Sequence, residues 1–181
     1  MPLTIKVPGT ELYNPKTNEF INLPEKTLVL EHSLISISKW ESKWHISYVD
    51  TKEKTQEQML DYISCMSLKG DIPFEVISSL TEQNIREITN YISDPMTAST
   101  IKRTSKPGGK QQIITSELIY SWMVAYQIPV EFEKWHLNRL LILIEIISEQ
   151  NKAPSKMSKA ETMRRYKDIN AKNRAKYHSK G

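Results

Sequence analysis

Residues 130–149, VEFEKWHLNRLLILIEIISE, constrain the fold more than any other stretch. The run holds no glycine and no proline, and Pro129 sits just before it. Proline already has helical φ and lacks the N–H that a first turn leaves unpaired, so the pattern predicts a helix that begins here. Phe132, Trp135, His136, Leu140, Leu143 and Ile147 recur at helical spacing, and Leu137, Leu141, Ile142, Ile144 and Ile146 fill most of the remaining surface. A helix apolar nearly all round is expected to be buried, with shorter elements wrapped about it. About eight residues are close to continuously apolar and Glu145 interrupts them, against the roughly 18–20 that a membrane span needs.

The first thirty residues read differently. Leu3–Val7 alternates apolar and polar residues as a half-buried strand does. ELY and EFINL flank the turn-rich Asn14-Pro15-Lys16-Thr17-Asn18, which predicts a hairpin, and Leu28, Val29 and Leu30 supply another short run. Helical spacing takes over at Ser33, with Leu34, Ile37, Trp40, Glu41 and Trp44 in phase and both tryptophans on one face. Thr55 with Gln58 has the form of a capping box, followed by Met59, Tyr62, Ile63 and Met66 inward and by Gly70 as the stop. Phe74 opens a short helix, and Thr81 caps another whose Ile85, Ile88 and Ile92 face inward until Asp94-Pro95. Thr115 or Ser116 caps the next, with Leu118, Ile119, Trp122, Met123 and Tyr126 inward. Gln127-Ile128-Pro129 is short enough to make that helix and the apolar one antiparallel neighbours, the expected core hairpin.

The chain is therefore predicted to be α+β and mainly α. Residues 1–31 form a small antiparallel sheet, the rest of the 1–151 body wraps the apolar helix, and residues 98–114 form a β-hairpin insertion around Pro107-Gly108-Gly109. Residues 152–181 form a basic arm or projecting helix, which Ser158 with Glu161 caps and which has few apolar groups to hold it to the body.

Charge is divided in the same way. Residues 152–181 carry ten of the 25 Lys and Arg but only two of the 21 acidic residues, so a mildly acidic body bears a basic tail. Lys102, Arg103, Lys106 and Lys110 make a second basic cluster at the hairpin tip. The candidate partner-binding residues are Lys156, Lys159, Arg164, Arg165, Lys167, Lys172, Arg174 and Lys176 of the arm, with Lys102 and Arg103 of the hairpin. Tyr166 and Tyr177 interleave the arm, so it suits phosphate through counterion release and base stacking, or an acidic protein surface. The arm matches no helix-turn-helix or other reader module.

The chemistry of a catalytic or metal site is missing from the pattern. Pro107-Gly108-Gly109-Lys110 lacks the spacing of a phosphate-binding loop, and no dinucleotide fingerprint or nucleophile elbow occurs. The single cysteine, Cys65, excludes an internal disulfide, lies in an apolar pattern, and reads as a buried inert thiol. None of His32, His45, His136 and His178 lies at the spacing of a helical zinc pair. His45 and His136 each follow a tryptophan and read as structural histidines beside core aromatics. Arg139 and Glu145 read as partly buried side chains with polar partners. The N-terminal MPLTIKVPG lacks a charged-then-apolar leader, which predicts a soluble protein of a reducing cytoplasm, and the missing motifs predict no cofactor or metal.

Four stretches carry a resemblance: LEHSLISISKWESKWH (residues 30–45), TSELIYSWMVAYQIPVEFEKWHLNRLLILI (115–144), KMSKAETMRR (156–165), and the closing Lys180-Gly181. They resemble a family of tailed-bacteriophage proteins of about this length, encoded among virion-assembly genes, some of them termed tail-assembly chaperones. SKWESKWH and KWHLNRL are its distinctive blocks, and the resemblance runs over nearly the whole chain. It implies a non-enzymatic role in tail morphogenesis, with no catalytic residues to transfer. The implied partners are the tape-measure or tail-tube protein, met in the host cytoplasm during assembly. A stoichiometric virion protein of the tail or head-tail junction is the alternative, and a nucleic-acid-contacting protein of the same particle the second.

Overall fold

The computed structural model describes residues 1–14, 18–99, 113–151 and 159–177. These form two compact units, Met1–Ile147 and Ser148–Gly181. Most of the predicted hairpin at 98–114 lies outside the described residues.

The first unit begins with two antiparallel ribbons. Strand β1 (Leu3–Val7) pairs with β4 (Lys26–Leu30), Leu3 opposite Leu30 and Val7 opposite Lys26. Between them β2 (Thr10–Asn14) pairs with β3 (Glu19–Leu23). Alternation puts Ile5 and Val7 on the same buried face as Leu28 and Leu30, while Tyr13 and Phe20 of the second ribbon are exposed and touch each other, their ring centroids 5.3 Å apart. The fold is thus α+β and mainly α, with seven α-helices after the strands among the described residues.

Four of these helices begin on a side-chain cap. Ser33 starts α1 (Leu34–Trp44), Thr55 starts α2 (Gln56–Cys65), Thr81 starts α4 (Glu82–Ser93) and Thr115 starts α5 (Ser116–Ala125), each side-chain oxygen accepting from the backbone N–H three residues on. Thr55 and Thr81 complete full boxes with Gln58 and Asn84. The short α3 (Phe74–Ser78) lies between α2 and α4. Helix α2 stops at Cys65 rather than at Gly70, because Glu31 N–H bonds the Met66 carbonyl and Leu68 N–H the Val29 carbonyl, drawing the chain onto β4.

The predicted centre is displaced. Residues 130–149 are not one helix: Val130–Lys134 is a 3-10 turn, Trp135 is extended, and α6 runs only over Leu137–Asn151. The break has a tertiary cause. His136 forms an isolated antiparallel bridge with Ser33, and Leu137 N–H donates to the His32 carbonyl at 2.7 Å. Within α6, Leu137, Leu140 and Ile144 are buried on one face, while Ile142 and Ile146 are partly exposed, so the helix is one-sided. Nor does it form a hairpin with α5. The element with the most packing partners is α1, which meets α2, α5 and the 3-10 turn and has Leu34, Ile37 and Trp40 wholly buried.

Polar side chains lock this arrangement. Glu41 of α1 is buried; its Oε1 accepts from Tyr48 N–H at 2.8 Å and its Oε2 from Ser116 N–H at 2.7 Å, at the start of α5. Ile114 is held at both backbone groups: its N–H donates to Asp50 Oδ2 at 2.5 Å and its carbonyl accepts from Ser47 Oγ at 2.6 Å. Trp40 Nε1–H donates to the Gln58 carbonyl, and Trp44 Nε1–H to Asp61 Oδ2, both at 2.9 Å. In the second unit, α7 (Lys159–Tyr177) carries exposed Met163, Tyr166, Ile169 and Tyr177.

Candidate functional site

Of the ten basic residues singled out in the sequence, six have described side chains, all of them on α7. Lys102, Arg103 and Lys156 lie outside the described residues. Lys159 opens α7, with its side chain likewise outside them. Arg164, Arg165, Lys167, Lys172, Arg174 and Lys176 are exposed on that helix. At about 100° per residue these six positions spread over an arc of roughly 200° of its circumference, wider than a single stripe.

The histidines divide. His45 is no core residue: it is exposed and ends α1 in the left-handed region at φ 55°. His136 is buried, as is His32, whose role no sequence pattern signalled. His32 Nδ1 shares a 2.5 Å hydrogen bond with the Tyr62 hydroxyl, and its ring meets that of His136 edge-on at 5.0 Å. His136 Nε2–H donates to the Tyr91 carbonyl at 2.9 Å, and the Tyr91 hydroxyl donates to Glu31 Oε1 at 2.5 Å. Burial, helped by the neighbouring His136 and Lys54, lowers the His32 pKa to about 3; burial also lowers that of His136. Burial raises the hydroxyls of Tyr62 and Tyr91 above their ordinary range. The network ties the segment after β4 to α2, α4 and the residue before α6.

A pH dependence follows. The unfolded chain protonates His32 near its ordinary 6.5, whereas the folded chain resists down to about 3. Stability is therefore intact above pH 6.5 and falls as the pH drops below it, by about 1.4 kcal/mol per pH unit for this one group. Urea titrations at pH 6.5 and 4.5 should show a loss that His32→Gln reduces by ~2 kcal/mol or more. An equal loss in the variant would show that His32 is not the titrating group.

Two other polar expectations change. Arg139 is exposed, and its guanidinium lies over the Trp135 ring, 4.1 Å from the centroid. Cys65 is half-buried, and burial pushes its thiol up to about 11, so it stays protonated at neutral pH. Among the described residues no group of three His, Cys, Asp or Glu could hold a metal ion, and no helix is long and apolar enough to cross a membrane.

A large concave feature lies in the first unit between α2, α3 and α4, a groove of about 910 Å³. The five residues of α3 span only about half the length of α2 or α4 at roughly 1.5 Å per residue, so they cannot fill the space between them. Leu60 and Ile63 of α2, Ile77 of α3, and Ile85, Ile88 and Ile92 of α4 make its apolar walls. Ile88 is buried, whereas Ile85 and Ile92 are half-buried. Met59, expected inside, is 45% exposed, and Phe74 is 74% exposed; both line the open rim. One end is polar. Tyr48 stacks on Tyr62 with centroids 4.0 Å apart, and Lys54 Nζ sits 4.1 Å from the Tyr48 centroid.

This groove was hidden in the sequence because its isoleucines follow the same helical period as a core face. The sequence places Phe74 at the head of a short helix, and only the structure shows it exposed. Comparisons with protein-family models, with curated proteins and with solved structures gave no match to this chain.

Proposed function

We propose that this protein is a tail-assembly chaperone of a tailed bacteriophage, holding an apolar face of its client in the groove between α2, α3 and α4. The groove carries the reading. An open channel walled by aliphatic side chains and rimmed by Met59 and Phe74 suits an amphipathic helix laid in by its apolar face. The flexible Met59 side chain adapts to varied partners, as a chaperone requires, and the exposed Phe74 offers an apolar anchor. In the resemblance described above, the client is the tape-measure or tube protein. The exposed basic residues of α7 would add attraction for an acidic client surface without fixing its register.

Phe74→Ser tests this. Because Phe74 is exposed, the substitution should change folding stability by no more than about 0.5 kcal/mol. Losing an aromatic anchor should weaken client binding roughly tenfold or more. The measurement is the soluble yield of co-expressed tape-measure protein beside the melting curve of the variant. Unchanged yield would refute the groove as the client site. Mass spectrometry of purified particles should find the protein absent; a fixed copy number would favour the virion-component reading.

A further inference from the structure

We infer that the helix the groove accepts carries a carboxylate on its apolar face, placed to meet the Lys54 ammonium. This rests on the groove reading and narrows the chemistry of its occupant.

Lys54 is half-buried at the polar end of the groove. Its position is defined by contacts on two sides: Nζ donates to the Thr51 carbonyl at 2.6 Å and lies against the Tyr48 ring. An ammonium has three donors, and this hydrogen bond uses one of them. Among the described residues no carboxylate stands within ion-pair distance of Lys54; the ion pairs there are Lys6–Glu25, Lys43–Asp61 and Arg86–Glu82. Lys52 and Glu53 also line this end, and both are exposed, so the charged lining is positive by one.

Burial already lowers the Lys54 pKa. An occupant would strip more water from the ammonium. A wholly apolar helix would leave that charge desolvated and unpaired, and a basic one would add repulsion. A glutamate or aspartate near one end of the helix's apolar stripe would instead accept the free donors. The exposed rim argues for a helix over an acyl chain, since Met59 and Phe74 leave the channel unroofed and a lipid tail would keep much of its surface in water.

The probe is a set of fluorescein-labelled amphipathic peptides of about sixteen residues, long enough to hold helix when bound. A glutamate is stepped through the successive apolar-face positions, each with a glutamine counterpart, against the full-length protein. At one or two positions the glutamate peptide should bind about tenfold tighter than its glutamine twin, as a charge-assisted hydrogen bond predicts. Lys54→Met keeps the side-chain stem and should abolish that preference while leaving the glutamine peptides bound. Equal affinity of the twins at every position, or a preference that survives Lys54→Met, overturns the inference and leaves the groove reading standing. Failure of every peptide to bind, or binding indifferent to Phe74→Ser, overturns both. So does occupation of the groove by a fluorescent fatty acid in the absence of peptide binding.

Discussion

Leu140→Asp is expected to abolish the cooperative melting of the unit Met1–Ile147. Leu140 has no exposed surface and lies on the buried face of α6 with Leu137 and Ile144. Removing its side chain from the core forfeits about 2–3 kcal/mol of burial. A carboxylate in its place adds a desolvation penalty of several kcal/mol, with no Lys or Arg among the buried described residues to offset it. The sum is comparable with the roughly 5–15 kcal/mol that holds a domain of this kind together. Circular dichroism during heating reads the result. A cooperative transition within a few degrees of the parent would mean that α6 contributes little to the fold.

Glu41→Ala should be nearly as damaging, for a different reason. The buried Glu41 carboxylate accepts two backbone N–H groups, from Tyr48 and Ser116. The second opens α5, where a negative charge also meets the positive end of the helix dipole. Alanine leaves both donors without their acceptor and cuts the link between α1 and α5. Two charge-assisted hydrogen bonds put the loss at roughly 3–5 kcal/mol. Urea midpoints measure it, and a loss under about 1 kcal/mol would show that water or a neighbouring carbonyl replaces the carboxylate.

The contrast between what the sequence revealed and what it concealed has a physical origin. Helix starts were legible at Thr55, Thr81 and Thr115 because a cap acts over three residues of adjoining chain. The strand alternation at Leu3–Val7 is equally local. The break before α6 was not legible, since it depends on Ser33, about a hundred residues upstream, taking the backbone of His136 into a bridge. Helix α1 looked like one amphipathic segment among several; its central place comes from packing against three elements at once. The candidate site was the least visible part. Ile85 and Ile92 have the spacing of core residues, and only the shortness of α3 leaves them facing a channel. The conspicuous charges of the arm lie exposed on α7.

The fastening of Ile114 has a consequence for how this protein tolerates change. With one backbone group bonded to Asp50 and the other to Ser47, the chain is moored just before α5 begins. Residues gained or lost upstream of that mooring would alter the span between it and α4 while the register of the following helix stays put. The fold thus has a bulkhead at this point, which fixes where α5 begins.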